Sequence, residues 1–207
     1  MKRFYSLISL ILHPIWIPTW ALMVWFGIML SDRISFFSST FAMFLGYEFV
    51  FLALFPTLVA FSKRLGQKND WEMSDVNSRK WPFLVGGIFW IGYALNISKE
   101  LGEMGDFLWM TTGSGGILLL ILAFCYHRGW KLSAHVSGWA MMLPILAFQQ
   151  HFPSEVRLLL MLSCILLVGS IFGIRWISGA HEKVELLGGL GIGILIPSTF
   201  LSIISIL

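Results

Sequence analysis

Long stretches with few or no charged side chains constrain this chain more than any other feature. Residues 4–31 contain no charged side chain, and six further apolar stretches follow, at about 36–62, 82–98, 107–126, 133–151, 157–174 and 186–206. A hydrocarbon core of roughly 30 Å needs about 20 apolar residues in helical form. The pattern therefore predicts an all-α, polytopic transmembrane bundle. Because the third and sixth stretches are short, we expect six or seven spans, with the first lying within 5–30.

The composition supports a membrane protein and excludes several other classes. Only 12% of the 207 residues are charged, whereas a typical soluble domain has about 25%. The longest polar segment is 63–80, which leaves no room for a soluble domain. We therefore predict one transmembrane domain over residues 1–207, with the lipid bilayer as its surroundings and no nucleic-acid partner.

The basic residues predict the orientation in the membrane. Eleven of the 14 lysines and arginines lie in the N-terminus and in the loops 63–80, 127–132 and 175–184, whereas Arg33, Lys99 and Arg157 lie in the other loops. The positive-inside rule then places the N-terminus and these three loops in the cytoplasm. Two predicted spans separate each loop of this set from the next, so all three loops meet at one membrane face.

These three loops hold most of the side chains that could carry chemistry. Arginine matches phosphate oxygens with paired donors, and histidine can attack or transfer a proton near neutral pH. The set predicts an anion site, and it comprises Asp75, Arg79, Lys131, Ser133, His135, Arg175, His181 and Glu185. Two further candidates are Lys80, as an extra positive charge, and Glu48, because a carboxylate inside a span is costly without a partner, a proton or a polar cavity.

The third loop contains the most specific pattern. Arg175, His181 and Glu185 form R-x5-H-x3-E, and glycines follow Glu185 at four-residue intervals. The second loop reads K-L-S-A-H over residues 131–135, and the first reads D-V-N-S-R-K-W-P over residues 75–82. In this order the three motifs resemble the type 2 phosphatidic acid phosphatase superfamily, the membrane relatives of vanadium haloperoxidases. That family's pattern is K-x6-R-P, then P-S-G-H, then S-R-x5-H-x3-D.

The resemblance covers residues 68–193, and the segment 12–18 also looks like small bacterial members of this group. It implies a lipid phosphatase of the bacterial inner membrane that needs no metal and no cofactor. By this resemblance His181 attacks phosphorus and forms a phosphohistidine, while Glu185 orients the His181 ring. His135 protonates the leaving oxygen and then activates water. The phosphoryl oxygens are held by Arg79, Arg175, Lys131 and Ser133.

The chain departs from the family pattern at several positions. Leu132 and Ala134 replace the proline and glycine of the second motif, and Glu185 replaces the aspartate of the third. In the first motif two residues separate Arg79 from Pro82, and no lysine lies seven residues before Arg79. The sequence therefore leaves open an inactive relative that serves as a membrane subunit or lipid-binding protein. A small transporter or scramblase that uses Glu48 and a haem-binding redox subunit also stay open, as do the lipid phosphate and any protein partner.

The remaining histidines and the paired glycines have simpler interpretations. His13, His127 and His151 lack matching partners in the sequence, so we interpret them as structural or interfacial. The pairs Gly169/Gly173 and Gly189/Gly193 have the four-residue spacing that lets helices pack closely. We expect them to pack helices together and not to bind a ligand.

Overall fold

The computed structural model describes residues 11–29, 46, 50, 52, 58, 76–97 and 102–206. Within this part of the chain, a 3-10 turn at Pro14–Trp16 is followed by helices that we label α1 to α6. They are α1 (Ile17–Met29), α2 (Val76–Ile97), α3 (Gly102–His127), α4 (Ala134–Phe148), α5 (Ser154–Ile177) and α6 (Lys183–Ile204). The predicted all-α class is confirmed for these residues.

Three of the helices are long and apolar enough to cross a membrane, namely Gly105–His127 in α3, Ser154–Ile177 and Lys183–Ile204. They indicate a membrane protein and agree with the stretches predicted at 107–126, 157–174 and 186–206. The stretches predicted at 82–98 and 133–151 form α2 and α4, which are not among the three, and α4 has only 15 residues. The stretch at 36–62 lies outside the described residues apart from four single positions. The total of six or seven spans therefore stays a prediction.

The first predicted span is interrupted in the structure. The chain leaves helical form at His13, makes the 3-10 turn Pro14–Trp16, and only then starts α1 at Ile17. A proline has no backbone N–H and clashes with the preceding helical turn, so Pro14 and Pro18 favour helix starts over a continuous helix at 5–30. α1 has 13 residues, which is short for a membrane crossing.

The chain forms two compact units. The first unit comprises Met1–Ile17 and Lys131–Leu207, and the second comprises Pro18–Trp130. In the second unit α2 and α3 pack closely through glycines, because a Cβ on Gly87 would lie 2.9 Å from the Gly116 oxygen and a Cβ on Gly116 would lie 3.0 Å from the Gly87 oxygen. The single domain expected from the sequence stays a prediction.

In the first unit, α4 is the central helix and is buried along most of its length. It packs on α6 at two glycines. A Cβ on Gly189 would lie 2.8 Å from the Ser133 oxygen, and a Cβ on Gly193 would contact the Ser137 oxygen and come within 2.9 Å of the Ala140 Cβ. The predicted packing role of this glycine pair is confirmed.

The other predicted glycine pair lies on α5. No described atom comes within 4 Å of a Cβ placed on Gly169 or on Gly173. Their packing role therefore stays a prediction.

The close approach of α4 to α6 makes a stability prediction. Replacing Gly193 with alanine puts a methyl group against the backbone of α4, so the two helices must move apart, at a cost of roughly 1–3 kcal/mol. We expect a lower midpoint of thermal unfolding for Gly193→Ala in detergent, followed by tryptophan fluorescence. The matched control is Gly169→Ala, where no described atom lies within 4 Å of the new methyl group. Equal midpoints for the two variants would contradict the packing described here.

Candidate active site

The turn that ends α5 brings Arg175 and His181 together. Gly179 adopts a left-handed conformation with φ of +70°, which glycine accepts without steric cost. The chain thereby reverses, and the backbone N–H groups of Ala180 and His181 both donate to the Arg175 carbonyl oxygen, at 3.1 and 3.3 Å. This turn is the structural basis of the R-x5-H spacing.

A carboxylate holds the His181 ring. The Nδ1 atom of His181 lies 2.9 Å from the Oε2 atom of Glu185, one helical turn further along the chain. The His181 side chain is buried, at 1% exposed, and that of Glu185 is 22% exposed. An ionised carboxylate only accepts hydrogen bonds, so Nδ1 carries the proton and donates it. In the neutral ring, Nε2 then carries a lone pair. The contact that the resemblance implies for Glu185 is present, and its catalytic role stays a prediction.

The start of α6 fixes Glu185 itself. The Oε2 atom of Glu185 also accepts the Glu182 backbone N–H at 3.1 Å. In return, the Glu182 carboxylate accepts the backbone N–H of Glu185, which completes a capping box at the helix start. One carboxylate oxygen therefore serves both the helix end and the histidine, and this limits how far the His181 ring can turn.

The second motif lies against the third. Ser133 is the N-cap of α4, and its Oγ atom accepts the Val136 backbone N–H at 3.5 Å. The Ser133 backbone N–H donates to the Glu185 carbonyl oxygen at 3.2 Å. His135 is in the first turn of α4 and is half-buried. The N-terminal end of α4, which carries a partial positive charge, therefore adjoins the first turn of α6.

Arg175 and Lys131 supply positive charge in the same unit. Arg175 is in the last turn of α5 and is 9% exposed. Lys131 lies two residues before the N-cap of α4 and is half-buried. The predicted phosphate role of Lys131, Arg175 and Ser133 stays a prediction, but the first unit does contain both cations beside the two histidine motifs.

The structure adds a residue that the sequence analysis missed. The ring of His13 lies edge-to-face on the ring of His135, with centroids 5.0 Å apart and planes at 82°. The Nδ1 atom of His13 accepts the Ile15 backbone N–H, so this nitrogen carries no proton and the ring is neutral. The interpretation of His13 as a structural residue stays a prediction, and the structure gives it a ring partner, His135, that the sequence does not show. The sequence signal that points to His13 is the His13-Pro14 pair, which interrupts an apolar stretch.

The other four candidates lie in the second unit or outside the described residues. Arg79 and Lys80 lie in the first turns of α2, in the second unit. The Nζ atom of Lys80 is 5.9 Å from the centroid of the Trp81 ring, whereas the Arg79 side chain lies outside the described residues. Asp75 and Glu48 lie outside them as well, so the roles of all four residues stay predictions.

Two further histidines, His127 and His151, are exposed. Within the part of the chain that the structure describes, no group of three histidine, cysteine, aspartate or glutamate side chains could hold a metal ion.

Comparison with known proteins gives no relative from which a function could be transferred. No protein-family model matches the chain, and neither a curated protein nor a solved structure does. A proposal of function therefore depends on the motifs and on the geometry of the first unit.

The carboxylate contact makes a prediction that needs no substrate. In Glu185→Ala the Nδ1 proton of His181 loses its acceptor, so the ring should no longer be held in one tautomer. We expect the ¹⁵N imidazole shifts of His181, measured on histidine-labelled protein in detergent micelles, to move toward a mixture of both tautomers. Glu182→Ala is the matched control, because it removes the other half of the capping box and leaves the histidine contact. Unchanged His181 shifts in Glu185→Ala, or equal changes in both variants, would contradict the assignment.

Proposed function

We propose that this protein is an integral-membrane lipid phosphatase that hydrolyses a lipid phosphomonoester or diphosphate through a phosphohistidine at His181. The observation that carries the proposal is the buried His181, whose Nδ1 atom is held by Glu185 and whose backbone is bonded to Arg175. The proposed nucleophile, its orienting carboxylate and a cation for phosphate thus lie within the segment 175–185. The resemblance to the type 2 phosphatidic acid phosphatases supports the same chemistry.

In the first step the Nε2 lone pair of His181 attacks phosphorus. The N–P bond forms while the bond from phosphorus to the leaving oxygen breaks, and the imidazole gains positive charge. The Glu185 carboxylate at 2.9 Å stabilises that charge through the Nδ1 proton. Burial of His181 removes water from the ring, which strengthens this electrostatic interaction. Glutamate in place of the family aspartate is compatible with the role, since the contact forms across one helical turn.

Positive groups hold the phosphoryl oxygens as charge builds on them. Arg175 can offer paired donors to two oxygens, and Lys131 adds a second charge. The N-terminal end of α4 adds the partial charge of the helix. By resemblance, Arg79 and Ser133 belong to the same set. Ser133 uses its Oγ as the acceptor of a helix-capping bond, and a hydroxyl that accepts one hydrogen bond can still donate its proton to a phosphoryl oxygen.

His135 transfers the protons. It donates a proton to the leaving alcohol oxygen as the P–O bond breaks, and it is then a neutral base. In the second step it accepts a proton from water while the water oxygen attacks phosphorus and the N–P bond breaks. Inorganic phosphate and free His181 result, and the His135 proton is restored.

The position of the site along the helices suits a lipid substrate. Arg175 lies at the end of α5, and Glu185 lies at the start of α6. Both helices are long and apolar enough to cross a membrane, so residues at these ends belong at the membrane surface. There a phosphate head group reaches the site while the acyl or isoprenyl chains stay in the bilayer. The distribution of lysine and arginine supports a cytoplasmic face.

One observation favours a second candidate function, a lipid-phosphate-binding protein without turnover. The family glycine and proline around Ser133 are replaced by Ala134 and Leu132, and Ser133 itself is fully buried as a helix cap. A site that binds phosphate but lacks part of its second motif would bind without hydrolysis. Binding of lipid phosphate with no release of inorganic phosphate would favour this candidate.

The nucleophile assignment makes the first activity prediction. We expect the detergent-purified wild type to release inorganic phosphate from at least one member of a panel that includes phosphatidic acid, phosphatidylglycerol phosphate and an isoprenyl diphosphate, with a chelator present. His181→Asn removes the attacking nitrogen, so the rate should fall by roughly a thousandfold or more. His151→Asn, the same change at an exposed histidine, should keep the wild-type rate. A wild-type rate in His181→Asn would rule out the assignment.

The acid role of His135 makes a second prediction. Protonation of a poor leaving group raises the rate by roughly 10²–10⁴-fold. p-Nitrophenolate, in contrast, leaves without being protonated. In His135→Asn we expect kcat/KM for the lipid phosphate to fall far more than kcat/KM for p-nitrophenyl phosphate. This ratio is informative because kcat/KM reports the steps up to the first transition state. Equal losses on both substrates would contradict the role.

A further inference from the structure

A short N-terminal segment lies against the face of α4 that carries His135. The indole N–H of Trp139 donates to the Leu12 carbonyl oxygen at 2.8 Å. A Cβ on Gly138 would lie 2.6 Å from the Pro14 Cβ, so only glycine lets the segment approach this closely. Positions i, i+3 and i+4 share one helix face, which places His135 on the same face as these two contacts.

His13 lies between these two contacts. Its Nδ1 atom accepts the Ile15 backbone N–H at 3.3 Å, so the proton of the neutral ring is on Nε2. The ring therefore has a fixed tautomer and a fixed place in the turn Pro14–Trp16, where His13 is the N-cap. Its edge-to-face contact with His135, at 5.0 Å between centroids, joins a rigid turn to a side chain in the first turn of a helix.

We propose that His13 is a positioning residue for His135, which keeps the imidazole of the proton donor in the orientation that the leaving group requires. The catalytic consequence rests on the proposed function of His135, whereas the ring contact does not. An aromatic ring packed edge-to-face against the His135 ring restrains its rotamer.

The neutral state of His13 is part of this role. His135 has to carry a proton when the leaving group departs, and a second positive charge at ring-contact distance would oppose that protonation. The Nδ1 atom of His13 accepts the Ile15 backbone N–H, so the ring carries no positive charge. His13 therefore restrains His135 without adding a charge beside it.

Two substitutions distinguish the role of the His13 ring from the role of His13 as an N-cap. His13→Asn keeps a side-chain oxygen that can accept the Ile15 N–H, because asparagine is a good N-cap residue, but it removes the ring. His13→Phe keeps an aromatic ring and removes the nitrogens. His151→Asn is the control for a histidine-to-asparagine change at an exposed position.

The first experiment measures the His135 ring in the full-length protein, labelled with ¹³C,¹⁵N-histidine, in detergent micelles. Its signal is assigned by its loss in His135→Asn. We expect the signal to move in His13→Asn and to stay nearer to its wild-type position in His13→Phe and in His151→Asn. An unmoved signal in His13→Asn, or an equal displacement in His13→Phe, would overturn the proposal whatever the activity of the protein.

The second experiment measures turnover. We expect His13→Asn to lower kcat/KM for the lipid phosphate by roughly tenfold, a fraction of the general-acid contribution, with KM and the rate on p-nitrophenyl phosphate nearly unchanged. His13→Phe should recover most of the loss. Equal loss on both substrates, or no recovery in His13→Phe, would overturn the positioning role. A wild type that releases no phosphate would contradict the proposed function instead, and the ring signal alone would then decide on the placement of His135.

Discussion

The close approach of α4 to α6 is the constraint on which the candidate site depends. The Ser133 N–H donates to the Glu185 carbonyl oxygen at 3.2 Å, and Gly189 has no side chain where Ser133 passes. This contact joins the cap of the helix that carries His135 to the turn of the helix that carries Glu185. A larger residue at Gly189 would separate the two motifs, whatever their side chains.

The two catalytic candidates differ because their neighbours differ. His181 is buried and its Nδ1 atom faces the Glu185 carboxylate, which places the Nδ1 proton in the neutral ring and stabilises the positive charge that the ring gains when Nε2 attacks. His135 is half-buried and faces the neutral ring of His13, which restrains its direction without adding charge. The first environment suits a nucleophile that becomes positive, and the second suits a group that gains and loses a proton.

The sequence predicts what depends on local spacing. A glycine after the last turn of α5 and an i, i+4 pair explain the R-x5-H-x3-E motif, and the apolar stretches near 107–126, 157–174 and 186–206 match α3, α5 and α6. The contact between His13 and His135 could not be predicted, because spacing along the chain says nothing about which distant residues pack together. Hydropathy does not predict the break at Pro14, because it takes no account of the backbone N–H that proline lacks.

The central claim is that His181 carries the phosphoryl group during turnover, and the most direct measurement is to trap that intermediate. The protein is mixed with a ³²P-labelled lipid phosphate, quenched in alkali within the first turnovers, and tested for protein-bound label that acid releases, as expected of an N–P bond. We expect such label in the wild type and none in His181→Asn. Phosphate release by the wild type without bound label, or equal label in His181→Asn, would contradict this role of His181.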